Sequence, residues 1–309
     1  MDSDTLPLSR STVDRDARRR AVGIEAILTD HRVKVLQVRR GRVAGHDGGI
    51  AFGTTVEDGI EAAYLGCDED GLYVADLGSG TDAATEGRAL DDPQGPPSGI
   101  SVRDAGWLLA PRDAGLATAA MALANWHASH RFCPRCGEPT RIAAAGWERH
   151  CTVDGSAHYP RTDPAVIMAI VDDDDRLLLG HAVGWPAGQF SVPAGFVEPG
   201  ESLEAAVRRE VGEETAIDVG EVTYQGSQPW PFPASLMLGF RGRALSTEPR
   251  PDGVEMTEAM FVGRDELATL LASGAVRLPR PTSIAHHLIS EWFGRGWPEG
   301  PWAPGPPSS

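Results

Sequence analysis

Wound as a helix at about 100° per residue, residues 201–215 set Leu203, Val207 and Val211 on one apolar stripe, with Glu210 and Glu214 on that same stripe. Any fold that buries the stripe must bury two carboxylates, which costs their desolvation and sets them against each other. A hard cation with oxygen ligands removes both penalties, and the i, i+3, i+4 spacing gathers Glu210, Glu213 and Glu214 at one end of the helix. A solvated acidic face is the ordinary explanation of a glutamate cluster. These glutamates interrupt the apolar face instead of opposing it, which favours the cation.

At 309 residues the chain has material for more than one core. Residues 1–125 hold short strand-like runs at 33–38, 64–67 and 72–75, so the expectation there is a β-rich domain, and a duplicated fold without visible sequence similarity stays open. Within it, residues 77–99 are rich in Gly, Asp, Ser and Pro and read as a flexible loop. Residues 113–129 are alanine-rich and read as a helix. A cysteine-bearing segment, 126–160, follows. Residues 161–295 read as a mixed α/β domain: a strand from Ala165, an acidic turn at 172–175 with its hairpin partner, the glutamate helix, strands at 219–225 and 236–240, and a last helix at 282–293. Residues 296–309 are Pro and Gly rich and read as a disordered tail.

The formal net charge of −16 repels polyanions at long range and argues against non-specific nucleic-acid binding. A small anionic substrate then needs a local positive centre, from bound Mg²⁺ or Mn²⁺ or from arginines. No apolar run approaches the roughly 18 to 20 residues of a membrane span. The polar start does not read as a signal peptide, so the expected location is cytoplasmic, with no membrane partner.

The glutamate helix lies in a larger pattern. Gly195, Glu201, Arg209, Glu210, Val211, Glu213, Glu214 and Ile217 match in register the Nudix box, G-x5-E-x7-R-E-U-x-E-E-x-G-U with U apolar, and the chain resembles the Nudix hydrolases. Ala216 departs, standing where the box has a glycine that ends the helix in a left-handed conformation. Alanine there should cost on the order of 1 kcal/mol or shift the cap. The resemblance implies an α/β/α Nudix sandwich of the α+β class. Glu210, Glu213 and Glu214 would hold Mg²⁺ or Mn²⁺, and Arg209 would orient a glutamate by ion pairing. Which carboxylate takes the proton stays open.

Past the box runs Ser227-Gln228-Pro229-Trp230-Pro231-Phe232-Pro233-Ala234-Ser235. Alternating prolines make it rigid and extended, neither helix nor central strand. On chemistry alone, an aromatic plug in a core and an aromatic shelf for a flat base stand about even. The pattern SQPWPFPxS after a Nudix box resembles the NADH pyrophosphatase subfamily, the bacterial NAD diphosphatases. That resemblance implies cleavage of NADH or NAD⁺ to nicotinamide mononucleotide and AMP, a homodimer, and in several members removal of the NAD cap from RNA 5′ ends. It also implies substrate contacts at Phe196, Tyr159, Gln228, Trp230, Phe232, Ser235 and Ala285, and a further metal-linked glutamate at Glu255. Two alternatives stay open: a Nudix hydrolase of ADP-ribose or another nucleoside diphosphate derivative, and a non-catalytic nucleotide-sensing zinc-ribbon regulator.

Cys133-Pro-Arg-Cys136-Gly137 has the composition of a zinc knuckle, with Cys151 following. A related subfamily pattern has a second CxxC, whose last position here is Asp154. His158 is the expected fourth ligand of a structural Zn²⁺, as the better donor for a soft site, with Asp154 and His150 behind it. A metal-free remnant is the competing reading. Cys67 stands alone and reads as a buried apolar residue.

Overall fold

The computed structural model describes residues 6–46, 48–56, 61–78 and 99–298. Most of the loop expected at 77–99, and most of the tail expected at 296–309, lie outside the described residues. The chain divides into two units, the first comprising Leu8–Thr162 and Pro229–Ser235, and the second centred on Asp163–Gln228 and the residues from Leu236 on.

In the first unit, β1 (Val33–Arg39), β2 (Arg42–Val43), β3 (Ala62–Asp68) and β4 (Gly71–Asp76) form a sheet of order β2-β1-β4-β3. β1 and β4 run parallel, with Val33 opposite Leu72, and the other pairs are antiparallel. Helix α1 (Pro111–Ser129) opens with proline at its first turn, where no intrahelical donor is lost. Its small alanines let it sink into the core, where Leu116, Met121 and Trp126 pack with Leu36 and Tyr73. Cys67, expected buried, is half-buried.

The cysteine segment folds as a three-stranded ribbon of β5 (Thr140–Ala143), β6 (Glu148–Cys151) and β7 (Ala157–His158). Buried Arg149 on β6 donates to Thr140, Glu61 and His127 Nδ1. A guanidinium only donates, so His127 Nδ1 must accept, and its Nε2–H donates to the Gly146 carbonyl. Burial holds the His127 pKa down to about 4, so the ring is neutral.

The second unit carries β8 (Asp163–Val171), β9 (Leu177–Ala182), β10 (Ala194–Phe196), α2 (Leu203–Thr215), β11 (Val219–Trp230), β12 (Ser235–Ala244), β13 (Met256–Val262), α3 (Arg264–Ser273) and α4 (Ile284–Phe293). The strand order is β11-β12-β8-β9-β13, with β10 also paired to β8. Both faces of β8 are covered, which its near-continuous apolar sequence requires. Val166, Met168 and Ile170 point to a core shared with Ala206, Val207 and Val211 of α2. Ile167, Ala169 and Val171 point the other way, to Leu267 and Leu271 of α3 and Leu288 and Trp292 of α4. The sheet is therefore the middle of a helix, sheet, helix sandwich.

The strand expected at 219–225 continues to Trp230 and takes in the first proline of the SQPWPFP run. It can do so because β11 is the outermost strand of its sheet, where a missing N–H need not break a ladder. Helix α3 is an element beyond those expected from the sequence.

Candidate active site

Helix α2 is fixed at both ends. Ser202 caps its start by accepting the Ala205 N–H at 3.2 Å. At its end Ala216 takes the left-handed conformation, φ 57° and ψ 23°, and its N–H reaches the Gly212 carbonyl at 2.9 Å. The cap has not moved despite the missing glycine.

Inward-facing Glu210 and Glu214 are 9% and 4% exposed, as the stripe requires, while Glu213 on the flank is exposed. Burial pushes the Glu214 pKa up to about 8, reinforced by the charges of Glu210, Glu255, Asp252 and Glu213. Burial also raises that of Glu210. Glu214 Oε2 is buried with no hydrogen-bond partner among the described residues. A buried acid oxygen without a donor, under the charges of four other carboxylates, is what a divalent cation would relieve, so this donor set fits Mg²⁺ or Mn²⁺.

Arg209 ties the cluster together. Its Nε and Nη2 grip the Glu201 carboxylate, Nη1 donates to Glu210 Oε1 at 2.9 Å and Glu213 Oε2 at 3.0 Å, and Nη2 also reaches the Phe196 carbonyl at 2.9 Å. These partners raise its pKa further, Glu201 most of all. Glu201 in turn accepts the Glu198 N–H at 2.8 Å, which closes the loop before the helix. The sequence reading placed Arg209 on one glutamate; it holds three.

Phe196 ends β10 with its ring exposed. Gln228 is fully buried and donates its amide to the Thr282 carbonyl at 2.8 Å. Ala285 is buried on the first turn of α4, its N–H bonded to Ser283 Oγ. Exposed Tyr159 belongs to the first unit, as do Trp230, Phe232 and Ser235. The two rings of the proline-rich run do not project together into solvent. Phe232 is 9% exposed within the core of the first unit, and Trp230 is half-buried against it, ring centroids 5.0 Å apart. Asn125 Nδ2 donates to the Pro231 carbonyl at 2.8 Å and anchors the run to α1. Phe232 packs within that core.

In the ribbon, Cys133, Cys136, Cys151 and Asp154 offer ligand atoms within 4.8 Å of one another. The N–H groups of Val153 and Asp154 both donate to Cys151 Sγ, wrapping the turn around that sulfur. Three thiols and a carboxylate in this arrangement fit a tetrahedral Zn²⁺. His158, the expected fourth ligand, stands outside the group. It pairs with Arg149 on β6, and its Nε2 faces Ser156 Oγ at 3.2 Å. His150 turns to Glu148. The knuckle turn carries Asp154 to the sulfurs, which makes it the nearer candidate for the fourth position.

Two family profiles match the chain in tandem: the NADH pyrophosphatase zinc ribbon domain over residues 128–159 and the NUDIX domain over residues 161–281. The chain is 38% identical over 267 residues to the NAD-capped RNA hydrolase NudC of Mycobacterium bovis (strain BCG / Pasteur 1173P2), an alignment covering 82% of this chain and 83% of that protein. It is 40% identical over 194 residues to the NAD-capped RNA hydrolase NUDT12 of Homo sapiens, covering 59% of this chain and 42% of that one. A solved NUDIX hydrolase from Nitrosomonas europaea is similar at 24% identity and a TM-score of 0.42, covering 53% of this chain and 90% of that one. Glutamate helix, zinc ribbon and relatives agree, and the chain belongs to the Nudix hydrolases, in the NADH pyrophosphatase family.

Proposed function

We propose that this protein hydrolyses the pyrophosphate bond of NADH and NAD⁺, giving nicotinamide mononucleotide and AMP, and that an NAD cap on an RNA 5′ end is a further substrate. The observation that carries it is the buried, donor-free Glu214 Oε2 set among Glu210, Glu213 and Glu255 in a chain whose relatives are named for NAD-capped RNA hydrolysis.

Glu210, Glu213, Glu214 and Glu255 would hold the divalent cation. When bound, it supplies the positive charge that the pyrophosphate oxygens need and makes the attacking water more acidic. Water oxygen adds to one phosphorus, the bond from that phosphorus to the bridging oxygen breaks, and the bridging oxygen leaves on the other phosphate. Arg209 keeps Glu210 and Glu213 aimed throughout. On the family resemblance, Phe196, Tyr159 and Trp230 are assigned to the substrate's rings, and Gln228, Ser235 and Ala285 to its positioning. Cys133, Cys136, Cys151 and Asp154 hold the structural Zn²⁺. No helix among the described residues is long and apolar enough to cross a membrane. We take the working form to be a cytoplasmic homodimer, on the family resemblance.

The test is product analysis after incubating purified protein with NADH and Mn²⁺. Reduced nicotinamide mononucleotide and AMP should appear in equal amounts. No turnover, or ADP-ribose consumed in preference to NADH, would overturn the assignment.

A further inference from the structure

Glu255 lies just before the start of β13, far in sequence from the helix whose carboxylates its charge reaches. The loop before it explains how it is placed. The Arg250 N–H donates to the Thr215 carbonyl at 2.7 Å and the Asp252 N–H to the Glu214 carbonyl at 3.2 Å, so residues 250–252 are stitched to the last turn of α2. The Asp252 side chain then turns forward. Its Oδ1 accepts the N–H groups of Val254 at 3.0 Å, Glu255 at 3.0 Å and Met256 at 2.9 Å, and its Oδ2 takes the Glu255 N–H at 3.2 Å. The Glu255 carbonyl is held from the other side by the Val183 N–H at 2.8 Å.

We infer that Asp252 is a positioning residue that sets Glu255 in register with Glu214. A continuous path joins the two glutamates: the Glu214 carbonyl, the Asp252 N–H, the Asp252 carboxylate and the Glu255 N–H. Both oxygens of Asp252 are committed to backbone donors within its own turn, which separates its work from that of the glutamates. An exposed loop would otherwise let Glu255 swing, and the cation would lose a ligand fixed in advance. The inference rests on Glu255 being a ligand, as proposed above.

A double-mutant cycle read by Mn²⁺ binding, followed by electron paramagnetic resonance of the free ion, tests it. Asp252→Ala should weaken Mn²⁺ binding by about tenfold, in the range typical of residues that orient metal ligands. Asp252→Asn, which keeps an acceptor oxygen, should recover most of the loss. In a Glu255→Ala background, Asp252→Ala should cost far less, leaving only the small effect of its charge on Glu214. Thermal melts identify any variant that has simply unfolded, and Asp252→Asn supplies the comparison if Asp252→Ala does. Losses that multiply in the double variant, or an Asn variant as weak as the Ala variant, would overturn the positioning role. If Glu255→Ala leaves Mn²⁺ binding unchanged, it is the ligand assignment of Glu255 that fails.

Discussion

Gly195 on β10 lies against the carboxyl group of Glu210 on α2, so close that a methyl group on Gly195 would overlap it. The first glycine of the box is there to let a strand pass a buried acid. Gly195→Ala must push Glu210 off its place beside Arg209. Turnover should fall at least a hundredfold, about 2.7 kcal/mol in the barrier, while the fold persists. Near wild-type kcat with unchanged Mn²⁺ affinity would show that Glu210 is not where the chemistry is.

Glu214 makes the metal-free protein sensitive to pH in a defined direction. Its folded pKa, about 8, stands above its ordinary 4.5, so between these values the folded chain keeps a proton that the unfolded chain has released. Stability of chelator-treated protein should therefore fall as pH rises from about 5 to about 8, and Mn²⁺ affinity should rise over the same range because binding expels the proton. Glu214→Gln should flatten both slopes and abolish nearly all turnover. Melting curves of wild type and variant that run parallel across this range would contradict the burial argument.

Ala216 carries a left-handed backbone that alanine adopts at a cost. Ala216→Gly should raise stability by about 1 kcal/mol without changing kcat, since no ligand is touched. Chemical denaturation measures it, and a destabilised variant would mean that the alanine methyl packs usefully.

Zinc content separates the candidates for the fourth ligand. Protein purified without chelator should carry one zinc per chain; Asp154→Ala should lose it readily to a chelator, and His158→Ala should retain it. The opposite order would restore the histidine.

Phe232→Ala should destabilise by about 3 to 5 kcal/mol, as for a ring removed from a core. Trp230→Ala, less buried, should leave the fold in place and lower kcat/KM for NADH by about ten- to a hundredfold, as expected from the loss of base stacking worth roughly 1 to 3 kcal/mol. Should Trp230→Ala keep full activity, the tryptophan too is only packing.

What was legible in the sequence was local. Spacing along one helix is enough to show that Glu210 and Glu214 turn inward, and the apolar run from Ala165 to Val171 is enough to show a strand. Phe232 was not legible, because an aromatic held between prolines is equally rigid as a shelf or as a plug, and only the core around it decides. For the fourth ribbon ligand softness favours His158, whereas proximity to the sulfurs favours Asp154, and proximity is not written in the spacing. Asp252 carried no signal at all. Its importance arises only when a distant loop docks on the end of α2, and nothing in its neighbours' spacing announces that.

Arg209 has five N–H donors, and all five are taken: two by Glu201, one each by Glu210, Glu213 and the Phe196 carbonyl. An arginine so saturated has no hand free for a phosphate. Amid the carboxylates of the helix it serves as a strut, and the same strut fixes the backbone from which the Phe196 ring projects. The carboxylates proposed to hold the cation and the ring that faces the solvent are therefore tied to one side chain, so that a lysine, with the same charge but three donors on a flexible stem, would loosen both at once.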